Sequence, residues 1–372
     1  MPENDLLYRL ALSRVPGIGP VYAKKLLDRF GDAKAIFQAG SAALADLEGM
    51  GESRINGILR FDQFEMIEKE MSFIEKYGIR CLFYTGADYP QRLRCYKDAP
   101  ILFYYKGNAD LNARRIVSIV GTRTPTEYGK QAVEHLIREL AGYEPLIISG
   151  LAFGIDTCAH KAALCHSLLT VAVLGHGLDQ IYPPQNKPLA AKILKQGGLL
   201  TNFHPHEETL PHNFPIRNHV VAALCDAIVV VETDSDGGSM LTAKNALSYK
   251  KKIYALPGRL TDKKSRGCNQ LIQQGNARLL LHVSQLVAEL GWDSTQKPSA
   301  KQATLFPSGI ENQLSENEKM ALRLLQEKTQ FSTDELSACM QLTSTQMALT
   351  LINLEMKGLI ISMPGKRYRL AV

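Results

Sequence analysis

The sequence has no run of about 18 apolar residues, the length that a membrane-spanning helix needs. Its first ten residues, MPENDLLYRL, also lack the basic and then apolar order of a secretory signal peptide. The seven cysteines are odd in number and form no C-x-x-C pair, which disfavours a disulfide framework and a zinc ribbon. We therefore expect a cytoplasmic protein with reduced thiols and no membrane contact.

Signatures of common enzyme sites are absent as well. The sequence contains neither G-x-G-x-x-G nor a Walker A motif, and no matched acidic residue follows the first buried strand to bind a ribose. It also has no nucleophile elbow and no pair of carboxylates typical of acid–base catalysis. We therefore predict no cofactor and no catalytic residues, and we expect a protein that is not an enzyme.

Size and composition are those of an ordinary globular protein. The 372 residues are 45% apolar and 22% charged, which is enough chain for two or three domains. The net charge is +6, and the basic excess lies mainly between residues 116 and 310. This balance is compatible with a polyanionic partner, but many metabolic enzymes are equally basic.

Residues 1–78 have a helical apolar period interrupted by glycine and proline. The segment VPGIGPVYAKKLLDRFG places a tight glycine turn between two amphipathic helices, as in a helix-hairpin-helix (SAM-like) domain. Such a turn can offer backbone amides to DNA phosphate, here with help from Lys24 and Lys25. It can equally serve only to pack the two helices.

Residues 79–291 alternate apolar strands with helical stretches, which predicts an α/β domain. Two peripheral strands, in IRCLF and ILFYYKG, come first, and from Arg115 onward the pattern indicates a Rossmann-like parallel sheet covered by helices on both faces. Residues 292–312 are polar and contain two prolines, so they are predicted to be a linker. Residues 313–372 have three helices and then a hairpin around Pro364, the order of a winged helix.

Four strand ends carry glycines and small polar residues directly before a helix. In a parallel sheet such turns lie at one edge, where amides at helix N-termini bind anions. One such turn is typical of any strand-to-helix connection, but four together favour a polyphosphate or a nucleic acid strand. The residues predicted for this site are Gly121, Arg123, Gly150, Gly175, Gly238 and Ser239.

The segment FPIRN groups Phe214, Arg217 and Asn218 at a helix start. An aromatic ring beside a guanidinium can stack a base and pair with a phosphate, although Phe214 could instead be a buried anchor. Asp156 and His160 stand four residues apart and could form an acid–base pair, but a helix cap and a packed histidine fit them better. The irregularly spaced histidines at 204, 206, 212 and 219 do not support a metal site.

These motifs together resemble the DNA-processing protein A (DprA, or Smf) family over about residues 80 to 282. The segments that carry the resemblance are SIVGTRTPTEYG, SGLAFGIDTCAHKAAL, AVLGHGLDQIYPPQN, FPIRN, GGSMLTA and ALPG followed by RGCNQLIQQGNA. The resemblance implies a single-stranded DNA-binding protein of natural transformation that protects incoming DNA and loads the recombinase RecA. It further implies a homodimer through the Rossmann-like domain, and it makes single-strand-binding protein a further partner to consider.

The family's phosphate loop corresponds to Gly121, Thr122 and Arg123, with Thr122 where serine is usual. Three further positions depart from the family pattern. His219 replaces a second arginine, Thr201 and Asn202 replace a serine and a glutamate, and Gly237 replaces a serine. Loss of the fixed charge at His219 would be expected to weaken DNA binding at neutral pH.

Two other functions remain as alternatives. A nucleotide N-glycosidase would use a related Rossmann-like sheet, but its P-G-G-x-G-T-x-x-E signature is missing from DSDGGSMLTAKNA. A regulator that binds duplex DNA would use the winged helix, but the segment TSTQMALTLINLEMK has no basic residue before Lys357. We therefore expect the last domain to contact protein, or to support DNA binding only marginally.

Overall fold

The computed structural model describes residues 3–292, 314–327, 331–340, 342–363, 365 and 367–370. The chain divides into two compact units, Met1–Lys297 and Pro298–Val372. Apart from Trp292, the expected linker lies outside the described residues, and so does Pro364 of the expected hairpin.

The first unit begins with six helices, as its sequence period predicts. They are α1 (Glu3–Arg14), α2 (Pro20–Phe30), α3 (Ala33–Gln38), α4 (Ser41–Ala45), α5 (Glu52–Leu59) and α6 (Phe64–Lys76). Gly19 and Gly51, at the N-termini of α2 and α5, each follow a glycine with positive φ, at Gly17 (φ 76°) and Gly49 (φ 86°). Arg54 donates hydrogen bonds to the carbonyl oxygens of both Gly17 and Gly49. The helical segment therefore contains two joined hairpins, of which the sequence reasoning found only the first.

The expected phosphate contact of Lys24 is contradicted by its surroundings. Lys24 is only 7% exposed, and its Nζ donates to the carbonyl oxygen of Tyr96 at 2.7 Å. Burial lowers the pKa of Lys24 to about 8. Lys24 thus fastens α2 to the sheet domain and is not available to a ligand.

A nine-stranded sheet forms the centre of the first unit. Its strands, in chain order, are β1 (Arg80–Phe83), β2 (Leu102–Gly107), β3 (Ile116–Val120), β4 (Leu146–Ser149), β5 (Thr170–Val173), β6 (Gly197–Thr201), β7 (Ala227–Val230), β8 (Lys252–Ala255) and β9 (Arg278–Leu279). The spatial order is β1-β2-β6-β5-β4-β3-β7-β8-β9. Strands β3 to β9 are mutually parallel, whereas β2 pairs antiparallel with both β1 and β6. The two strands predicted as peripheral thus extend the parallel sheet at one edge.

Helices connect most of the strands, as predicted, and one more helix follows β9. They are α7 (Gln91–Arg94), α8 (Glu127–Leu140), α9 (Ile155–Cys165), α10 (Lys187–Lys195), α11 (Asn213–Leu224), α12 (Gly238–Ser248), α13 (Arg266–Gln273) and α14 (Val283–Leu290). Strand β3 lies between β4 and β7, so the connections leaving β3 and β7 run in opposite directions across the sheet. The carboxyl ends of β3, β4 and β7 therefore border a topological switch point, where open α/β sheets bind ligands.

A buried polar cluster joins the helices to the sheet edge. Glu70 of α6 is 4% exposed, accepts hydrogen bonds from Arg14 of α1, and also accepts one from the hydroxyl of Tyr104 in β2. The Tyr104 oxygen lies 2.6 Å from Nδ1 of His204, which follows β6. Burial raises the pKa of Glu70, but the hydrogen bond and charge of His204 and the charge of Arg14 outweigh it, and the net pKa is lowered. Since each member has a partner here, the cluster fixes the helical segment against the sheet.

The second unit has the element order of a winged helix. It contains α15 (Glu316–Glu327), β10 (Phe331–Ser332), α16 (Thr333–Met340), α17 (Ser344–Met356), β11 (Ile360–Met363) and β12 (Arg367–Leu370). The three strands form a sheet in the order β10-β12-β11. Helix α17 occupies the position of a recognition helix, and its Leu349, Ile352 and Met356 are 59%, 54% and 84% exposed. An apolar surface of this kind suits duplex DNA phosphate poorly.

None of the helices among the described residues is long and apolar enough to cross a membrane. All seven cysteines are free.

Candidate nucleic-acid interface

A pocket of about 490 Å³ opens at the carboxyl ends of β3, β4 and β7. Nine of the ten predicted site residues line it: Gly121, Thr122, Arg123, Gly150, Phe214, Arg217, Asn218, Gly238 and Ser239. Gly175 is not in the lining but packs against one of its members, since a Cβ atom at Gly175 would stand 3.0 Å from the Phe214 ring. The structure therefore brings together residues from four separate segments of the sequence.

The turn after β3 is held by backbone hydrogen bonds, and it leaves no room for a side chain at Gly121. A Cβ at Gly121 would stand 2.6 Å from Cγ1 of Ile155. The amide of Thr122 donates to the carbonyl oxygen of Glu232 at 2.6 Å, and the carbonyl of Thr122 accepts from the amide of Ile155 at 3.1 Å. Arg123 follows this fixed turn with an exposed side chain. The turn thus supplies a positioned cation at the mouth of the pocket.

A buried carboxylate fixes the start of α8 beside that turn. Glu232 stands two residues beyond the end of β7 and is 2% exposed. It accepts hydrogen bonds from the amide and the hydroxyl of Thr126 at 2.9 and 2.5 Å. Gly129 gives this carboxylate its space, since a Cβ there would overlap it. The sequence reasoning missed Glu232, although an acidic residue at the end of an apolar strand was a visible signal.

Arg217, which the sequence predicts as a DNA contact, makes hydrogen bonds within the chain. It is 5% exposed, and its Nη1 donates to the carbonyl oxygens of Gly150 and Val173, at the ends of β4 and β5. Its Nε donates to Oδ1 of Asn218 at 3.1 Å. Burial lowers the pKa of Arg217, and the nearby charge of Asp156 opposes that effect. The guanidinium therefore ties α11 to two strand ends while one of its edges borders the pocket.

Phe214 stands at the pocket with its ring half-buried. The guanidinium carbons of Arg123 and Arg217 both lie 6.0 Å from its ring centroid, and the Tyr182 ring lies 5.7 Å away. Tyr182, which is 51% exposed, was not among the predicted residues. A cation and two aromatic rings at one opening can hold phosphates and stack bases.

The fourth strand end adds donors at the start of α12. Gly237 is the N-cap of this helix, and Gly238 and Ser239 follow it. Ser239 is 8% exposed, and its hydroxyl has no hydrogen-bond partner among the described residues. A buried hydroxyl beside free helix amides is suited to an anionic oxygen.

The acid–base pairing considered for Asp156 and His160 does not form. The Asp156 carboxylate accepts from the amide of Ala152 at 3.3 Å, whereas Nδ1 of His160 lies 2.7 Å from the hydroxyl of Thr170. Burial raises the pKa of Asp156 and lowers that of His160 to about 3. His160 is thus a packed neutral histidine, whereas Asp156 binds a loop amide before α9 and does not cap the helix as predicted.

The described residues contain no group of three or more histidine, cysteine or acidic side chains placed to hold a metal ion. His204 and His206 lie instead against Glu70 and Asp179, at 3.3 and 3.5 Å.

Comparisons with known proteins agree with this architecture. The family described as DNA recombination-mediator protein A matches residues 80–291, a SAM-like helix-hairpin-helix tandem matches residues 9–61, and a DprA winged helix domain matches residues 307–366. The chain belongs to the DNA recombination-mediator protein A family. The resemblance inferred from the motifs is thereby confirmed, as is the fold class.

The protein named Smf from Synechocystis sp. is 31% identical over 99% of this chain and 100% of its own length. The X-ray structure of DNA processing protein A from Streptococcus pneumoniae is 32% identical, has a TM-score of 0.67, and covers 76% of this chain and 97% of that one. Another similar structure is that of DNA processing protein A from Helicobacter pylori, which was solved to describe the single-stranded DNA binding mode of that protein. It is 32% identical, has a TM-score of 0.52, and covers 57% of this chain and 96% of that one.

The three departures from the family pattern fall in different places. Gly237 lines the pocket, whereas Asn202 is outside its lining and has a buried Oδ1 without a partner among the described residues. His219 is on the other side of α11 from the pocket, in a groove with Ile216 and Tyr249. Its Nδ1 lies 3.2 Å from the Tyr249 hydroxyl. The charge that His219 lacks would therefore stand outside the pocket, and its expected effect on DNA binding stays a prediction.

The buried His160 predicts a pH dependence of stability. The unfolded chain binds a proton near the ordinary pKa of 6.5, but the folded chain does so only near pH 3. The contribution of neutral His160 to the free energy of unfolding should therefore be complete above pH 6.5. Between pH 6.5 and about 3 it should decrease by up to about 1.4 kcal/mol per pH unit. Urea unfolding of wild type and His160→Phe at pH values of about 7 and 5 measures this, and the variant should lose less stability than wild type on acidification. Equal losses would contradict the assignment, and His212→Asn, at an exposed histidine, is the control.

Proposed function

We propose that this protein binds single-stranded DNA at the pocket formed by the ends of β3, β4 and β7, without marked base selectivity. The observation that carries the proposal is the grouping of Arg123, Phe214 and the start of α12 around one opening. Backbone amides and an arginine contact phosphates of any sequence, and an aromatic ring stacks on any base. The Helicobacter pylori relative, whose single-stranded DNA binding mode has been described, supports this assignment.

We further propose that the protein acts in natural transformation, where it protects incoming single strands and loads RecA on them. The family description as a recombination mediator supports this role. A homodimer through the sheet domain and contact with single-strand-binding protein belong to the same proposal. The chain would be organised as a helical domain (1–78), an extended Rossmann-like domain (79–291), a linker (292–312) and a winged helix (313–372).

A glycosidase function is less well supported. The described pocket offers Asp156 as its buried carboxylate, and that group already accepts a hydrogen bond from the Ala152 amide in the loop before α9. The segment at the start of α12 has glycine and serine but no glutamate.

Single-strand preference is tested by competition between single- and double-stranded oligonucleotides of equal length, titrated over a range of salt. We expect the protein to bind the single strand more tightly than the duplex, and its affinity for the single strand to fall steeply as the salt concentration rises. Arg123→Ala should reduce the salt slope by about 0.7, the value for one phosphate contact on a single strand. Phe214→Ala should weaken binding by about 1 to 3 kcal/mol and leave the slope unchanged, because a neutral ring is lost.

Two variants serve as controls for that experiment. Arg138→Ala removes the same charge from the far end of α8, and it should bind like wild type. Phe214→Trp keeps an aromatic surface and should retain most of the affinity. Equal affinity for duplex and single strand, or wild-type binding by both Arg123→Ala and Phe214→Ala, would contradict the proposal.

The winged helix is predicted to contribute little to single-strand affinity, because α17 exposes Leu349, Ile352 and Met356 where a DNA-binding helix carries basic residues. Deletion of residues 311–372 should therefore leave affinity nearly unchanged, as measured by titration of a labelled oligonucleotide. A loss of tenfold or more, about 1.4 kcal/mol, would show that this domain is a primary DNA contact.

A further inference from the structure

A second open region lies beside the pocket, between the start of α8 and the loop that follows β8. We call this region the trough; it has a volume of about 920 Å³, and its lining includes Tyr128, Arg259, Lys263 and Lys264. The loop itself, residues 257–266 (PGRLTDKKSR), is called the basic loop because it carries four basic residues and one acidic residue. None of the ten site residues that the sequence predicts lies in the basic loop.

The basic loop is fastened to the rim of the pocket. Nζ of Lys264 donates to the carbonyl oxygen of Thr124, the residue after Arg123, and the carbonyl of Lys264 accepts from the amide of Thr233 at 2.7 Å. Nζ of Lys263 lies 3.6 Å from a carboxylate oxygen of Asp234. Thr233 and Asp234 both line the pocket, so the trough directly adjoins it.

Charge in the trough favours an anionic strand. Arg259 and Lys263 line the trough with exposed side chains. Glu127 of the lining lies 3.2 Å from Nζ of Lys130. The lining has three basic residues, Arg259, Lys263 and Lys264, against the two acidic residues Glu127 and Asp262. A positive groove that continues from a phosphate site extends the path that a strand can follow.

Tyr128 supplies an aromatic surface in the same trough. It is 49% exposed, and its hydroxyl donates to the carbonyl oxygen of Pro257 at 2.8 Å. This hydrogen bond holds the ring in one orientation, so stacking would cost little further loss of side-chain freedom. A fixed ring between basic side chains repeats the combination that Phe214 and Arg123 form in the pocket.

We infer that the trough is a second subsite for the same DNA strand, in which a base stacks on Tyr128 and phosphates contact Arg259 and Lys263. This inference rests on the proposed function, because it extends the strand that occupies the pocket. A short oligonucleotide would fill the pocket alone, whereas a longer one would also occupy the trough.

The test compares oligothymidylates of about 5 and about 20 nucleotides, which bracket the site sizes of single-strand binders. The double variant Arg259→Ala/Lys263→Ala should weaken binding of the long oligonucleotide by at least about fivefold and lower its salt slope by about 1.4, the value for two phosphates. Binding of the short oligonucleotide should not change. Tyr128→Leu should weaken only the long oligonucleotide, without a change in slope. Tyr128→Phe keeps the ring but loses the hydroxyl that orients it, so it should weaken the long oligonucleotide less than Tyr128→Leu does.

Lys192→Ala/Lys195→Ala is the charge-matched control, since both lysines are exposed near the end of α10, away from the strand ends that form the pocket. If the loop variant behaves like this control with both lengths, or weakens both lengths equally, the second subsite is refuted while the pocket remains. If wild type binds neither length, the proposed function itself fails.

Discussion

The buried guanidinium of Arg217 is the interaction on which the site depends. From α11 it donates to carbonyl oxygens at the ends of β4 and β5, where a cation without partners would be costly to bury. Gly150 has no side chain to obstruct it, because a Cβ there would collide with the guanidinium. This bond sets the position of α11, and with it the placement of Phe214 over Gly175.

Glu232 fixes the strand ends on the other side of β3 in the same way as Arg217 does on its side. Its carboxylate accepts both hydrogen bonds of Thr126, and its carbonyl accepts the amide of Thr122, so the turn that carries Arg123 is fixed from two directions. Two buried charges of opposite sign thus organise neighbouring strand ends. The groups left open to a ligand are the ones that these contacts do not use, namely the Arg123 side chain, the Phe214 ring and the Ser239 hydroxyl.

Much of the fold could be predicted from the sequence because its signals are local. Apolar strands, helical periods and glycine turns identify β3 to β9 and the winged helix, and strand ends in a parallel sheet share one edge. The exposure of individual side chains could not be predicted in this way. Lys24 and Arg217 look like phosphate contacts in the sequence, yet both are buried against backbone carbonyls that come from distant segments. The sequence signal for a cation is the same whether its partner is a ligand or the chain itself.

The central claim is that a DNA strand lies across the ends of β3 and β7. Amide hydrogen exchange with and without a single-stranded oligonucleotide tests it most directly, because a bound strand would cover and stabilise the turn that carries Arg123 and the start of α12. The account predicts slower exchange at residues 121–126 and 237–242 when the oligonucleotide is added, and no change at the opposite ends of these strands. Protection confined to the hairpins of the helical segment, or to the winged helix, would contradict it.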